Sequence, residues 1–555
     1  MLSFSLRMRT LPLRLALLGP ALVLSACGGD GAVTPDTPEP PPPAVARLAV
    51  DCSGPHCGAV DAHRYLGSGV GIWQYTNTTG ERREVEIDIS GLAGKDVQLI
   101  MTNHDDAPLK MPGIELFERS PYPADVPAAA RRAPAFSLAM PVASKQAAEN
   151  LATEKQATAS RAVAPASVVG ATRLWWVDTW TEGRVERPFT LHRQGQAQGP
   201  DGSRRVNIWL EDDQYGDGLV DDAMLDTLLQ RVAAGPRSVY TRATELAGEP
   251  WGQHETAGAI PPAQDLNIVL GKELAYVSYP GSRDLRIRQQ TGNPDFDEYV
   301  RTSNEALAVY LTTERFYQPD DYYDSGEPPA AMALLLTQLA NIYHRSALPA
   351  NDQSFEPWLD MMTALMMQDI LYLPGSDAYQ PVGDIYRWYW LSMGATGGFN
   401  CGLKTARDAA DNSCYVLGAQ ATFGAYLLRQ YGIGFYRQLL RNTSSADSWA
   451  ILDDAIKQAG GEGADAALRR FATNIALLPA AASPKGYGLP ERTDGAYTLA
   501  AIDGATYASE LALPTDTIMT LMPRAFFPFA RPAVRDTYRE NIVVPPHASL
   551  SVVVR

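Results

Sequence analysis

The chain has 555 residues, which is more than one ordinary hydrophobic core needs and predicts two or three domains. Apolar residues make up 45% and charged residues 20%, a balance typical of folded water-soluble proteins rather than of disordered or multi-spanning membrane proteins. The formal net charge of −16 argues against nucleic acid as a partner, because phosphate binding needs a basic surface.

The N-terminal segment has the pattern of a bacterial lipoprotein signal peptide. Three arginines precede an apolar run over 15–24, which is too short to span a bilayer permanently. The run ends in Leu-Ser-Ala-Cys, with the cysteine at Cys27, and this tetrapeptide resembles a lipobox. We therefore predict a signal peptide over 1–26 and a lipid on Cys27. The alternative is an ordinary secretory signal followed by an incidental cysteine.

The predicted lipid is a membrane anchor and places the protein in the cell envelope. Gly28 follows the cysteine in place of the aspartate that favours inner-membrane retention, so we expect the outer membrane, on its periplasmic or surface face. Residues 27–45 are rich in Gly, Pro and acids and predict a tether that cannot form a core. Loss of the three arginines lowers the formal charge to −19.

Four cysteines remain after Cys27, an even number in an oxidising compartment. We predict the local disulfides Cys52–Cys57 and Cys401–Cys414 over the two other pairings. A metal site formed by Cys52, His56 and Cys57 is the alternative, but it lacks a second pair of ligands nearby.

Two regions of strand-like and linker-like composition precede the main body. Apolar and acidic residues alternate over 84–89, and 97–101 is a second apolar run, so we predict a small β-sandwich over 46–122. Residues 123–168 are rich in Ala, Pro and Lys and predict a linker.

The main body is predicted over 169–480, and a C-terminal β region over 481–555. The body begins with strands, contains an amphipathic helix over 220–232, and has helical periodicity from about 300 to 475. The fold class that we predict is therefore α+β. The predicted body strands cover 174–177, 206–210 and 266–270.

The acidic run 211–218 is superficially similar to a calcium-binding loop. The spacing fails, because Tyr215 and Met224 occupy positions at which a calcium loop needs oxygen ligands. We predict that the stretch Asp213–Asp217 is part of a turn, with Asp217 or Gly218 near the cap of the next helix.

One apolar helix carries an unusual set of polar residues. Pro328 and Pro329 suit a first helical turn, and the segment to His344 then contains Thr337, Gln338 and Asn341 on or beside one face. The next helical segment, from Phe355, continues Glu-Pro-Trp-Leu-Asp-Met-Met.

These segments resemble the hyicolysin-type neutral metallopeptidases, which are zinc enzymes of the gluzincin kind. The resemblance extends over roughly 170–475 in several ordered blocks, which makes it more specific than a lone motif. It implies a gluzincin-like body with a mostly helical second lobe. The blocks are Asp265–Leu270, Ser303–Ala306, Phe355–Asp369 and Tyr415–Gly432.

The family pattern has His-Glu-x-x-His on the first helix and Trp-Leu-Asn-Glu on the second. On this pattern Thr337 and Asn341 stand at the two histidines, and Gln338 stands at the catalytic glutamate. Met361 stands at the third zinc ligand, and Asp360 at the asparagine before it. The resemblance therefore implies that the zinc ligands and the general base are absent.

The donors that remain do not suit zinc. A hydroxyl, a carboxamide and a thioether are weak or mismatched ligands, and an amide cannot act as a general base. We therefore predict no metal and no cofactor, although the family uses zinc. The seven histidines are scattered singly along the chain. Asp360 and Asp369 could approach the same pocket, but two carboxylates alone make a weak catalytic site. Tyr415 resembles the tyrosine that stabilises the oxyanion in some gluzincins; the alternative is a tyrosine packed at the start of a helix.

The function predicted from these residues is that of a catalytically inactive metallopeptidase homologue that binds an extended peptide or a protein. The alternative is an active surface metallopeptidase with a rearranged site. An adhesin that presents its N-terminal sandwich is compatible with the first hypothesis.

Overall fold

The computed structural model describes residues 46–116, 167–275, 278–317, 328–346, 355–371, 382–405, 416–531 and 534–555. The predicted signal peptide, Cys27, the tether and nearly all of the predicted linker lie outside these residues. Cys414 and Tyr415 lie outside them as well. Among the described residues, no helix has the length and apolar character that crossing a membrane requires.

The N-terminal region consists of strands, as predicted. The alternation that predicts a strand is observed, because Val85, Ile87 and Ile89 are all buried on one face of the longest of them. The strands are β1 (Ala46–Arg47), β2 (Ala49–Val50), β3 (Ala59–Asp61), β4 (Arg64–Tyr65), β5 (Gly71–Thr76), β6 (Arg83–Ser90), β7 (Val97–Asn103) and β8 (Leu109–Lys110).

The body begins with a six-stranded sheet in the order β13-β14-β12-β11-β10-β9. Strands β11, β12 and β14 are parallel, and the outer pairs are antiparallel. Aromatic residues fill one face, where Trp175, Trp209 and Tyr310 pack in one buried cluster. The strands are β9 (Thr172–Thr179), β10 (Gly183–Gly199), β11 (Gly202–Glu211), β12 (Leu266–Gly271), β13 (Ser278–Pro280) and β14 (Ala308–Thr312).

Helices form the rest of the body. The first helix is capped by Asp221, whose side chain accepts a hydrogen bond from the backbone of Met224, so the cap lies four residues after the predicted Asp217. The helices are α1 (Asp222–Ala233), α2 (Val239–Ala247), α3 (Pro294–Arg301), α4 (Glu314–Tyr317), α5 (Pro328–Arg345), α6 (Pro357–Leu371), α7 (Val382–Ser392), α8 (Val416–Arg441), α9 (Ser448–Gln458) and α10 (Ala464–Ala472).

Helix α8 packs against both α6 and α7 and has a kink at Gly432. The φ angle of Gly432 is 85°, in the region that residues with a Cβ avoid. A Cβ there would also clash with the side chains of Asp494 and Arg492. Glycine is therefore required at this kink.

The C-terminal strands return to the N-terminal region and complete its sandwich. One sheet has the order β18-β7-β20-β5-β2, and in the other β19 pairs with β6. The sequence pattern predicts 46–122 and 481–555 as separate regions. In the structure, strand pairing joins them in one sandwich with its own buried core. The strands are β15 (Arg492–Asp494), β16 (Tyr497–Leu499), β17 (Thr520–Leu521), β18 (Phe526–Arg531), β19 (Thr537–Val544) and β20 (Ala548–Val554).

Candidate functional site

Helix α5 brings its polar residues into the core of the body. Its sequence is apolar around most of its circumference, so it is surrounded by other elements rather than lying at the surface. Thr337 is 0% exposed, Gln338 is 1% exposed and Asn341 is 4% exposed. Polar groups buried to this extent need partners within the protein.

Asp360 of α6 supplies the main partner. The Nε2 atom of Gln338 donates to one carboxyl oxygen of Asp360 at 2.9 Å, and the Nδ2 atom of Asn341 donates to the other at 2.8 Å. Asn341 also donates to the hydroxyl of Thr363 at 3.2 Å. Both carboxyl oxygens of Asp360 are thus engaged by carboxamides. We call Gln338, Asn341, Asp360 and Thr363 the amide–carboxyl cluster.

Two further hydroxyl groups border this cluster. The Thr337 hydroxyl donates to the carbonyl of Ala333, one turn back on its own helix, at 2.9 Å. The Tyr436 hydroxyl of α8 donates to the carbonyl of Thr363 at 2.8 Å. Helices α5, α6 and α8 are therefore joined through one buried polar network.

The structure places Met361 next to the cluster in sequence but on another face of α6. Successive helical residues are about 100° apart, so the side chains of Asp360 and Met361 point in different directions. Asp360 lies between the two amides, whereas Met361 is packed in the apolar core of the body. The α6 carboxylate that faces α5 is thus the residue before the one that the family pattern indicated.

The cluster contains a carboxyl with altered acidity. Burial raises the pKa of Asp360 from 3.8 to about 6, while hydrogen bonds from Asn341 and Gln338 act in the opposite direction. Because of this raised pKa, Asp360 gains a proton at a much higher pH than an exposed aspartate. In the same cluster, the Oε1 atom of Gln338 is buried and has no hydrogen-bond partner among the described residues.

The residues of the cluster do not fit a zinc ion. A catalytic zinc site needs three imidazole, thiolate or carboxylate donors and an open position for water. Here one carboxyl is present, both of its oxygens accept hydrogen bonds, and all its neighbours are amides or hydroxyls. Among the described residues, no three His, Cys, Asp or Glu side chains come together in an arrangement that could hold a metal.

The other candidate residues have structural partners. Asp369, which is partly buried, forms an ion pair with the buried Arg429 of α8 at 2.5 Å. The Nε2 atom of His344 is 3.0 Å from the carbonyl oxygen of Ala247. In the acidic run, Asp213 pairs with Lys272.

One predicted disulfide is confirmed, since Cys52 and Cys57 are bonded to each other. Cys401 is also disulfide-bonded, and Cys414 lies outside the described residues. The predicted pairing of Cys401 with Cys414 therefore remains a prediction.

Sequence reasoning did not single out Thr363 and Tyr436. Thr363 follows Asp360 by three residues, so the two polar residues lie on one face of a mostly apolar helix, and this spacing could have identified Thr363. Tyr436 lies more than 70 residues away on α8, and no local pattern links it to α6.

Comparison with known proteins agrees with the resemblance in the sequence. Residues 183–555, more than half of the chain, match the peptidase M30 family, and residues 50–116 match DUF8571, a domain of unknown function. The match places the chain in the metallopeptidase class. Within that class it belongs to peptidase M30, the hyicolysin family.

Comparisons with individual proteins are more distant. No curated protein sequence matches the chain. Similar solved structures include a mutant M1 zinc metallopeptidase from Deinococcus radiodurans, with 11% identity and a TM-score of 0.28. Another is a mutant two-domain M1 zinc metallopeptidase bound to L-arginine, with 14% identity and a TM-score of 0.27. The matches cover 55% and 54% of this chain and 60% of each of those chains.

Proposed function

We propose that this member of peptidase M30 does not hydrolyse peptides and instead binds polypeptide at the bacterial cell envelope. The observation that carries the proposal is the amide–carboxyl cluster. It occupies the helix pair on which the family pattern has its zinc ligands and its general base. Two amides hold the single carboxyl of Asp360 there.

The chemistry of the cluster supports the loss of hydrolysis. Peptide cleavage by a metallopeptidase requires a metal-activated water and a base that accepts its proton. Gln338 has no titratable group, and the hydroxyl of Thr337 donates to its own helix. The residues are also almost wholly buried, so neither a substrate nor bulk water reaches them in this conformation.

Zinc content and proteolysis test the proposal directly. The full chain is purified in detergent, its bound zinc is measured by mass spectrometry, and it is incubated with casein. We expect less than stoichiometric zinc and no cleavage that a chelator abolishes. Stoichiometric zinc together with chelator-sensitive cleavage would show that a rearranged active site exists and would overturn the proposal.

Restoring the zinc ligands in two alternative ways tests which α6 residue faces α5. Two variants carry Thr337→His, Gln338→Glu and Asn341→His, combined with either Asp360→Glu or Met361→Glu. Because Asp360 is the residue that faces α5, we expect the first variant to bind zinc more tightly than the second. Tighter binding by the Met361→Glu variant would mean that the two helices have a different register.

Envelope location forms a separate part of the proposal and rests on Cys27. We expect a radiolabelled fatty acid to be incorporated into the wild-type chain and not into Cys27→Ser. Membrane fractionation should then recover the wild-type chain with the outer membrane and release the variant in soluble form. Equal labelling of both chains would refute the lipid anchor.

A further inference from the structure

The sandwich meets the body along one face of one of its sheets. The odd-numbered residues of 97–101 in β7 belong to the sandwich core. Successive strand residues point to opposite faces, so the even-numbered ones point to the body, and Ile100 packs in the core of the body. Strand β20 has the same arrangement, because Val552 lies in the sandwich core and Val553 in that of the body. We call the surface formed by the body-facing residues of β7 and β20 the docking face.

The docking face is polar for a buried surface. Four of its polar residues are at most 5% exposed, namely Gln98, Thr102, Ser549 and Ser551. The Oε1 atom of Gln98 and the hydroxyls of Thr102 and Ser551 have no hydrogen-bond partner among the described residues. The turn after α10 contacts β20, and neither polar side-chain atom of its Asn474 has a partner in the described part of the chain. Buried polar groups without partners cost free energy, so this contact is less stable than the apolar cores on either side of it.

His104 extends the docking face beyond the end of β7. Its Nε2 atom is 2.8 Å from the hydroxyl oxygen of Ser549 on β20. Its Nδ1 atom is buried and lacks a hydrogen-bond partner within the described ranges. A protonated imidazole has two N–H donors, and Ser549 can accept from only one of them. The closed contact therefore suits a neutral ring and not a charged one.

Charged residues of both parts surround the ring. Asp465, in the first turn of α10, pairs with Arg524 of the turn before β18 at 2.5 Å. Arg524 also pairs with Asp106 at 3.0 Å, and Lys404 pairs with the same carboxylate at 3.3 Å. Burial lowers the pKa of His104 from 6.5 to about 4, while the charge of Asp465 acts in the opposite direction and that of Arg524 in the same direction. The ring is therefore neutral at pH 7 while the two parts are in contact.

We propose that the sandwich and the body separate at the docking face in acid, and that protonation of His104 drives the separation. In the closed form a proton taken up from water leaves one N–H of the ring without an acceptor. Once the face is exposed, water hydrogen-bonds both N–H groups and also the unpartnered atoms of Gln98, Thr102 and Ser551. Acid therefore favours the open form. The inference is independent of the proposed function, since it involves neither zinc nor hydrolysis.

Ion pairs between the two parts oppose the separation. Asp51 of the sandwich pairs with Arg469 of α10, and Asp106 pairs with Lys404 of the body. Aspartates ionise near pH 4 and stay charged at pH 5, so these contacts hold the parts together about equally at pH 5 and at pH 7. The change in opening over this range is therefore assigned to His104.

The size of the effect follows from the acidity of His104. Its pKa is about 4 in the closed form, and 6.5 is the ordinary value that applies once the ring is in water. Because the pKa is lower in the closed form, closure is favoured most above pH 6.5, and this advantage is lost as the pH falls toward 4. Between pH 7 and pH 5 the equilibrium constant for opening should rise about twentyfold.

Thiol labelling of the full chain in detergent tests the inference. Ser551→Cys places a thiol on the docking face, where the wild-type side chain is 0% exposed, and Thr102→Cys is a second reporter on the same face. Labelling with dithiodipyridine is followed by mass spectrometry. Each rate is divided by that of a synthetic peptide 546–555 with the same substitution, which removes the pH dependence of the reagent. We expect this normalised rate to rise about twentyfold from pH 7 to pH 5, and a rise of less than about twofold would overturn the proposal.

Two controls separate opening from other events. His104→Gln keeps a hydrogen-bonding group beside Ser549 but cannot be protonated, so its normalised rate should not change with pH; His104→Leu replaces it if the glutamine variant does not fold. The same rise in this variant would refute the role of His104. Ala243→Cys, in the body core on α2, should stay unlabelled at both pH values. Equal acceleration at positions 243 and 551 would mean that the whole chain unfolds, and this result would also refute the proposal.

Discussion

Replacement of Asp360 by asparagine is expected to change how the stability of the protein depends on pH. In the folded protein the pKa of Asp360 is about 6, against 3.8 for the unperturbed group. Since the folded state holds the proton more tightly, it is favoured most below pH 4, where the carboxyl is protonated in both states. This advantage is lost as the pH rises from about 4 to about 6.

The size of the effect follows from the two pKa values. Each tenfold change in proton affinity corresponds to about 1.4 kcal/mol, so the full effect of this group is about 3 kcal/mol, of which about 2.4 kcal/mol is lost by the wild-type chain between pH 4 and pH 7. The Asp360→Asn variant has no proton to lose there. The free energy of unfolding of the variant minus that of the wild type should therefore increase by about 2.4 kcal/mol over this range.

Urea unfolding followed by tryptophan fluorescence at pH 4, 5, 6 and 7 measures this difference. Titration of all other groups affects both chains and cancels in the subtraction. Asp516→Asn, at an exposed aspartate, is the control and should give a difference that does not vary with pH. A flat difference for Asp360→Asn as well would show that the Asp360 carboxyl is not buried as described.

Three other substitutions test the packing around the site. Arg429→Met leaves the partly buried carboxylate of Asp369 without its partner and should lower the free energy of unfolding by about 3–5 kcal/mol in urea titrations. Adding Asp369→Leu should recover part of this loss. A free energy of unfolding within about 1 kcal/mol of the wild-type value for Arg429→Met would contradict the prediction. Trp390→Ala removes a ring packed among three phenylalanines and should lower the free energy of unfolding by about 3–5 kcal/mol, which is measured as a lower melting temperature. An unchanged melting temperature would mean that the ring is not part of the core. Cys52→Ser with Cys57→Ser opens a short loop and should cost about 2 kcal/mol. A reducing agent should destabilise the wild type more than the double variant, which keeps the disulfide of Cys401; equal sensitivity of both would refute the role of the Cys52–Cys57 bond.

Local elements of the fold could be predicted from local patterns. The alternation over 84–89 predicts a strand, and the structure has β6 there. The proline pair and the apolar run predict the helix that is observed as Pro328–Arg345. The family resemblance is confirmed over the body. Strand β10 was not predicted, because its 17 residues are mostly polar and lack an apolar alternation over much of their length.

Long-range pairings could not be predicted in the same way. Nothing in β19 identifies β6 as its neighbour, because partner choice depends on the packing of the whole chain. The same limit applies to the site. The sequence pattern singled out residues on α5 and α6, but a rotation of α6 by one residue decides whether Asp360 or Met361 faces α5. Helix α6 packs against both α5 and α8, and these long-range contacts set its rotation.

The closure of the sandwich by the two ends of the chain constrains the order of its assembly. Strand β6 is synthesised about 450 residues before its partner β19, and the separation between β7 and its partner β20 is similar. During synthesis the early strands therefore have unpaired edges and an uncovered apolar face, while the body between them has a core of its own. The sandwich is complete only when the last residues arrive, so truncation at either end removes strands from the same β structure.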